Sequence, residues 1–192
     1  MREKVKIVVA MGLLAALAPL LVGCPGAEVV LIKDEALERA VRAELGQPFG
    51  FLTKADMLRL QTLEASAMGI RDLTGLETAT NLWWLDLDTN EISDVTPLTD
   101  LVNLAVLNLD SNGVFDIIPL AGLRNLDVLN LFDTQVHDIQ PLITNANNGG
   151  LGPGDHVTLD IRPLSERAIN IDVPILQNTY GVNVVLVEPQ GT

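Results

Sequence analysis

The sequence predicts an α/β solenoid, in which short parallel strands stack side by side along a coiling chain. Three observations indicate this fold class: leucines recur every 22 residues, prolines recur at the same interval, and Asn and Asp hold fixed places between them. A fixed period of about 20 to 50 residues is typical of proteins built from one repeated supersecondary unit. Because one unit cannot bury its own apolar face, it must pack against its neighbours.

The leucines define the strands of the predicted sheet. They follow the pattern L-x-x-L-x-L, and Leu85, Leu107 and Leu129 stand at the same place in three successive copies. Alternate residues of a strand face opposite ways, so Trp84 is expected to point outward beside the inward Leu85. A more degenerate copy precedes these three, and the repeats are predicted to cover 60–143.

Each of the three clear copies continues with Asn or Thr, an aliphatic residue, Asp and the pair Pro-Leu. The unit resembles the leucine-rich repeat, in the 22-residue class of bacterial internalin-like proteins. That resemblance implies a right-handed solenoid of about four or five repeats, with parallel strands on a concave face and short 3-10 or turn segments on the convex face. It also implies that the Asn side chain turns inward and satisfies backbone groups between repeats. Asn90 and Asn112 hold that position, Thr134 follows, and Met68 and Arg162 indicate end units.

An aspartate recurs later in each copy. Asp commonly opens turns, because its carboxylate accepts hydrogen bonds from backbone N–H groups just ahead of it. We interpret the series as structural rather than as a ladder of metal ligands. It comprises Asp94, Asp116 and Asp138.

The N-terminal residues are typical of an export signal. Three basic residues among the first six lead into the apolar run 7–21, which is too short for a typical transmembrane helix. Residues 21–24 resemble the lipobox of bacterial lipoproteins, in which the Cys is acylated and becomes the first mature residue. Cys24 is the only cysteine, so it forms no internal disulfide, and acylation gives it a role. A secretory signal cut near Ala27 and a retained N-terminal helix are the alternatives.

Five segments make up the predicted organisation. Leu37, Val41 and Leu45 lie four apart and predict a helix with one apolar face before the repeats. The β-prone stretch 29–32 is expected to pair with the first repeat strand. The segments are a lipoprotein signal peptide (1–23), a tether and possible first strand (24–33), a helical N-terminal cap (34–59), the leucine-rich repeats (60–143), and an irregular last repeat with a C-terminal cap (144–192).

The period breaks after the last clear repeat. Asn and Gly are frequent in 145–155, which predicts a loop. Val157 and Leu159 then resume the strand pattern after an insertion of six residues. Further on, 168–176 indicates a final helix or turn, and the alternation in 182–186 predicts a last strand.

The charge of the chain narrows the classes of partner. Without 1–23, the basic residues fall from 12 to 9 and the acidic residues from 25 to 24, a net charge of −15. Nucleic acid and anionic lipid headgroups both require clustered Lys and Arg, so neither is expected to bind by charge. No phosphate-binding glycine loop, HExxH motif or nucleophile elbow is present.

The outward positions of the predicted strands supply the candidate binding residues. Neighbouring strands lie about 4.8 Å apart, so their apolar members are expected to form a strip beside an acidic one. Exposed aromatic patches often mark interfaces; packing of Trp84 against the N-terminal cap is the alternative. The candidates are Trp84, Asp86, Asp88, Val106, Asn108, Asp110, Val128, Asn130 and Phe132.

These observations favour binding over catalysis. We expect a bacterial envelope protein that is membrane-anchored through Cys24, faces the periplasm or the cell surface, and binds a protein or glycan on its concave face, adhesion being one such role. An envelope-structural lipoprotein without a discrete ligand is the alternative. A hydrolase using Asp88 and Asp110 is more remote, because an open solenoid face lacks an enclosed pocket. No cofactor or metal is predicted, although Asp86, Asp88 and Asp110 would suit calcium best.

Overall fold

The computed structural model describes residues 28–188. The predicted signal peptide and Cys24 lie outside the described residues. The described part holds one six-stranded parallel sheet, in which each strand pairs with the next along the chain. The strands are β1 (Thr62–Glu64), β2 (Trp84–Asp86), β3 (Val106–Asn108), β4 (Val128–Leu131), β5 (His156–Asp160) and β6 (Asn183–Val187).

The register of the sheet follows the 22-residue period. Leu63 stands beside Leu85, Leu85 beside Leu107, and Leu107 beside Leu129. Leu129 then pairs with Val157, which confirms the insertion of six residues before β5. All five side chains have 0% exposure. One leucine column therefore runs through the core across the first five strands, and its members pack on those of the neighbouring repeats.

Helical segments precede the sheet and connect its strands. The α-helices α1 and α2 come before β1, α3 connects β4 to β5, and α4 lies between two π-helical segments before β6. They are α1 (Glu35–Leu45), α2 (Lys54–Met57), the 3-10 helices Leu76–Thr78, Thr96–Leu98 and Ile118–Gly122, α3 (Gln140–Asn147), the π segment Ala168–Asp172, α4 (Val173–Ile175) and the π segment Leu176–Tyr180.

The recurring aspartates open the connecting segments. Each accepts a hydrogen bond from the backbone N–H two residues ahead, with an oxygen–nitrogen distance of 2.8 Å in all three copies. A proline follows at the first or second position of each segment. These contacts confirm the structural interpretation of Asp94, Asp116 and Asp138.

The inward amides join neighbouring repeats, as the resemblance implies. Asn112 is 6% exposed. Its Oδ1 accepts a bond from the Ile92 N–H of the preceding repeat (3.0 Å), and its Nδ2 donates to the Leu87 carbonyl of that repeat (2.9 Å). The same Nδ2 lies within hydrogen-bond distance of the Leu109 and Asp110 carbonyls of its own repeat. One side chain thus satisfies backbone groups from two turns of the solenoid.

Asn90 and Thr134, which hold the same position in their repeats, differ in whether the side chain reaches the preceding repeat. Asn90 accepts from the N–H groups of Met68 and Ile70 in the preceding repeat and donates to the Ala65 carbonyl. Thr134 has a shorter side chain, and its hydroxyl bonds only the carbonyl three residues back in its own repeat. The predicted inward contact therefore holds for the two asparagines and is lost at the threonine.

A left-handed backbone position precedes the first four members of the series, from Met68 to Thr134. Ala67, Thr89, Ser111 and Asp133 have φ values of 54°, 54°, 53° and 49°. A non-glycine residue there costs roughly 1 kcal/mol, so the surroundings must hold it. Backbone pairing does so: the Thr89 N–H donates to the Asp110 carbonyl at 2.9 Å, and Ser111 repeats the contact on the next turn at 3.0 Å. This turn directs the following amide inward.

Helix α1 is tied to the first repeat through its N-cap residue. Asp34 accepts hydrogen bonds from the N–H groups of Ala36 and Leu37 at the start of the helix, and from Arg71 (2.9 Å) and Asp72 in the first repeat. Partial burial would raise the pKa of this carboxyl, but the four backbone donors outweigh it and hold the pKa below its ordinary value. The apolar helix face is buried and packs against β1.

The stretch 29–32 does not pair with β1, contrary to the sequence prediction. Val29 instead forms an antiparallel bridge with Thr53, and the Val30 N–H donates to the Leu52 carbonyl at 2.8 Å. The physical reason is that α1 already packs against β1. We call residues 28–32 together with 49–54 the N-terminal ribbon.

The segment after the last clear repeat also departs from prediction. Helix α3 runs to Asn147, so the predicted loop 145–155 is shortened to 148–155. Asn145 is fully buried; its Nδ2 donates to the carbonyls of Leu120 and Leu123 in the preceding repeat. Its position in the helix was hidden by the Asn-rich composition around it.

The final helical stretch is longer than predicted. The sequence indicated 168–176, whereas helical structure continues through the second π segment to Tyr180. Gly181, with a φ of 74°, ends it in a left-handed conformation. Strand β6 then follows as the sequence predicts.

Asn112→Ala is expected to lower the free energy of unfolding by about 3 kcal/mol, because it leaves several buried backbone groups without partners. The matched control is Asn125→Ala. Asn125 is exposed and donates one hydrogen bond to the Val102 carbonyl, so its loss should cost less than about 1 kcal/mol. Urea denaturation followed by circular dichroism measures both. Equal effects would contradict the bridging role of Asn112.

Candidate binding face

The outward side chains of the strands form three columns across the sheet. The first, which we call the Trp column, contains Trp84, Val106 and Val128, whose backbones pair directly across β2, β3 and β4. Neighbouring members are therefore about 4.8 Å apart in the direction of the backbone hydrogen bonds. The middle column contains Asp86, Asn108 and Asn130. The third column, just beyond the strands, contains Asp88, Asp110 and Phe132.

The Trp column is partly open to solvent. Trp84 and Val106 are half-buried, and Val128 is 38% exposed. The next position toward the N-terminus is Thr62, whose hydroxyl donates to Glu44 at the end of α1 (3.1 Å). The column thus begins where α1 meets the sheet, and Trp84 combines partial packing with a partly accessible surface.

The side chains of the middle column stabilise the turns after the strands, a role that was not predicted from the sequence. Asp86 accepts a hydrogen bond from the Asp88 N–H (3.0 Å), and Asn108 accepts one from the Asp110 N–H (3.1 Å). Asn130 makes the same contact two residues ahead. One oxygen of each side chain is therefore occupied in shaping the turn after the strand. A preference for Asp or Asn at this position is the signal that could have revealed it.

Two carboxylates stand on adjacent turns in the third column. The pKa of Asp110 is raised above its ordinary value, first by partial burial and then by the negative charges of Asp88 and Asp133. Hydrogen bonds from Ser111 oppose the rise without cancelling it. The third column therefore places two carboxylates on adjacent turns of the face.

Phe132 lies apart from the Trp column. It is four residues beyond Val128, in the turn that follows β4, so the two Cα atoms lie up to about 13 Å apart. The predicted continuous strip of Trp84, Val106, Val128 and Phe132 is therefore divided by the polar middle column. Phe132 is half-buried at the carboxyl edge of the sheet, next to Asp110 on the neighbouring turn.

An ion-pair cluster borders Phe132 and was not found from the sequence. The Arg162 guanidinium bonds the buried carboxylate of Asp160 and reaches Asp133 of the preceding turn at 3.0 Å. The bond from Arg162 outweighs the effect of burial and lowers the pKa of Asp160. Arg162, predicted only as a substitute in the Asn series, thus bridges two turns through its charge.

The described range 28–188 holds neither a metal-ligand cluster nor a membrane-spanning helix. No group of three or more His, Cys, Asp or Glu side chains within this range is placed to hold a metal ion. No helix in the same range is long and apolar enough to cross a membrane. A depression of about 510 Å³ lies at α1, lined by Arg39, Arg42, Ala43, Gly46 and Pro48, away from the three columns.

Solved structures similar to this chain include internalins. An internalin (InlF) from Listeria monocytogenes aligns over 81% of this chain and 43% of its own, with 29% identity and a TM-score of 0.65. The fold is an internalin-like leucine-rich-repeat solenoid. The functional domain of InlJ from the same organism shares the fold, with 20% identity and a TM-score of 0.52 over 73% of this chain and 40% of its own.

The similarity to the two internalins concerns the fold and covers only part of their length. The chain spans less than half the length of either internalin chain. No family model and no curated protein sequence matches it. The repeat register agrees with the sequence resemblance, and the internalin-like fold accounts for the open, non-enclosed sheet face.

Asp110→Asn is expected to raise the free energy of unfolding at pH 7 and to leave it nearly unchanged at pH 3. The reason is that the pKa of Asp110 is higher in the folded protein than in the unfolded chain. Folding then favours the protonated acid, so the carboxyl costs stability once the pH rises through the unfolded pKa of about 3.9, and the cost levels off above the folded pKa.

The matched control for this titration is Asp100→Asn, which removes one charge from an exposed site. Urea denaturation at both pH values gives the stability change, and carbon NMR of the carboxyl group gives the pKa of Asp110. Asp88→Asn should lower that pKa. An Asp100 variant with the same pH-dependent gain would show that net charge alone is responsible.

Proposed function

We propose that this protein is a membrane-anchored, extracytoplasmic interaction module of a bacterial envelope, and that it binds a protein or glycan on its concave face. The observation that carries the proposal is the partly exposed Trp column beside carboxylates on a rigid sheet. Trp is enriched at binding hot spots because it offers a large, rigid contact area. Likeness to the internalin fold supports an interaction role.

The electrostatics of the face narrow the chemistry of the ligand. Asp88 and Asp110 lie on adjacent turns, and partial burial raises the pKa of Asp110, with a further rise from the negative charges of Asp88 and Asp133. A ligand group that is cationic or rich in hydrogen-bond donors would relieve that repulsion, while an apolar or sugar-ring surface would cover Trp84. We therefore expect a basic peptide segment or the flat face of a sugar, rather than an acidic partner.

The anchor in this proposal is an acylated Cys24. The supports are the lipobox resemblance at 21–24, the leader before it and the lack of any other cysteine. The described structure begins at Glu28, four residues after Cys24. A four-residue segment spans at most about 14 Å. The solenoid would then stand close to the membrane, and many tethered copies would bind a multivalent ligand with avidity.

An envelope-structural role is the second candidate, because one flank of the repeats is apolar. Phe115 and Ile118 are 61% and 67% exposed and lie in the connection after β3. Single exposed apolar residues are common, but two within four positions offer a surface for lateral packing. In this role the Trp column would be dispensable and the flank would carry the contacts.

Trp84→Ala is expected to weaken ligand binding roughly thirtyfold, the loss typical of a hot spot worth about 2 kcal/mol. The matched control is Trp83→Ala: Trp83 precedes β2, is 46% exposed and lies outside the three columns. The full-length tagged proteins would be expressed in the source cells, cross-linked, and captured after detergent solubilisation of the envelope. The captured partner would be titrated with each variant.

The outcomes separate the two candidate functions. Loss with Trp84→Ala and retention with Trp83→Ala would support the concave face. Retention with both, together with loss in the Phe115→Ala, Ile118→Ala double variant, would reject it in favour of the structural role. Cys24→Ser tests the anchor separately: the protein should leave the membrane fraction and no longer incorporate an alkyne-tagged fatty acid.

A further inference from the structure

The outward face of the N-terminal ribbon is apolar. In the antiparallel register set by the Val29–Thr53 bridge, Leu31 lies opposite Phe51. Alternation places Val29, Leu31 and Phe51 on one face, while Ile32 and Leu52 point into the core. The exposures agree: the three outward residues are 45%, 75% and 48% exposed, and the two inward residues only 5% and 2%.

Phe49 lies two residues before Phe51 and is the most exposed large apolar residue of the described chain, at 86%. Hydrogen bonds within the surrounding loop fix its exposed position. The Arg42 guanidinium donates to the carbonyls of Gln47 (3.1 Å) and Gly50 (3.0 Å), and the Gln47 amide donates to the Phe51 carbonyl (3.1 Å). These bonds hold the backbone on both sides of Phe49 and present its ring to the outside.

Charge is divided sharply between this end and the rest of the chain. Residues 28–71 contain six basic and seven acidic side chains, a net charge of −1. Residues 72–188 contain three basic and seventeen acidic side chains, a net charge of −14. A surface of negative lipid headgroups would therefore repel the far end of the solenoid and would be nearly neutral toward the end that carries the ribbon.

We propose that the outward face of the N-terminal ribbon, formed by Val29, Leu31, Phe49 and Phe51, inserts into the lipid interface and sets the orientation of the solenoid on the membrane. The inference rests on the acylated Cys24 of the proposed function. That anchor lies five residues before Val29, so its acyl chains and the ribbon face enter the bilayer within about 18 Å of each other. Aromatic and aliphatic side chains bury their apolar surface at this depth.

A lipid surface fits this face better than a second copy of the chain. The patch holds four separated side chains, too few for the area of about 800 Å² per partner that a stable protein interface buries. The tether adds the binding energy that so small a patch lacks, because it confines the ribbon to the membrane surface. The strands then stack away from the bilayer, and the acidic repeats project roughly 24 Å outward over six strands.

The test uses site-directed spin labelling of the full, processed lipoprotein. An acylated Cys24 has no free thiol, so a cysteine introduced at Phe49 is the only site for a nitroxide label. Phe49→Cys is compared with Phe115→Cys, which replaces an equally aromatic, 61% exposed side chain in the middle of the repeats. Both are reconstituted in phosphatidylcholine vesicles, and collisions with oxygen and with an aqueous nickel chelate are measured.

The label at Phe49 should show a several-fold higher ratio of oxygen to nickel accessibility than the label at Phe115, because oxygen concentrates in the bilayer and the chelate stays in water. The added exchange of Leu31 and Phe51 for Ser should reduce the ratio at Phe49 toward the value at Phe115. Both replaced side chains are exposed, and circular dichroism verifies that the fold is kept.

Flotation of the vesicles distinguishes the two possible failures. Protein that does not float overturns the anchor and, with it, this inference. Protein that floats but gives the same accessibility ratio at both positions overturns the membrane-facing ribbon while the anchor stands. A Phe49 label shielded from oxygen and nickel alike, with dipolar broadening between labels, would show that a second copy covers the face and would also overturn it.

Discussion

The inward amide between repeats is the contact on which the rest of the structure depends. Apolar columns alone stack without a unique offset, since one leucine packs nearly as well as another. Asn112 sets the offset, because it bonds backbone groups of two turns at once and is buried where water cannot replace it. The left-handed residue before it supplies the geometry, and the cost of that conformation is offset by the bonds it makes possible.

The same constraint explains how the candidate binding face is laid out. Where the amide sets the offset between two repeats, the outward side chains of their strands come into columns, as Trp84 and Val106 do. The middle column cannot vary freely, since Asp86 and its equivalents shape the turn that delivers the amide. Chemical variety is therefore left to the two outer columns, which hold the aromatic side chains and the carboxylates of Asp88 and Asp110.

Much of this architecture could be predicted from spacing alone. A 22-residue period determines which residues stand side by side, so the register, the buried leucines and the insertion before β5 followed from the sequence. Contacts between distant segments could not be predicted in this way. The pairing of Val29 with Thr53 depends on α1 packing at β1, and the partners of Arg162 depend on how two turns lie against each other. The separation of Phe132 from the Trp column follows from distance along the strand, which a list of outward residues does not convey.

The inward amides point in one direction along the chain. Asn90 and Asn112 each complete the turn that precedes them, and Asn145 does so from within a helix. The backbone groups of such a turn therefore lack their side-chain partner until the following repeat has been synthesised. In a chain synthesised from its N-terminus, these three turns are completed one repeat behind synthesis, and a chain that ends among them leaves its last turn incomplete.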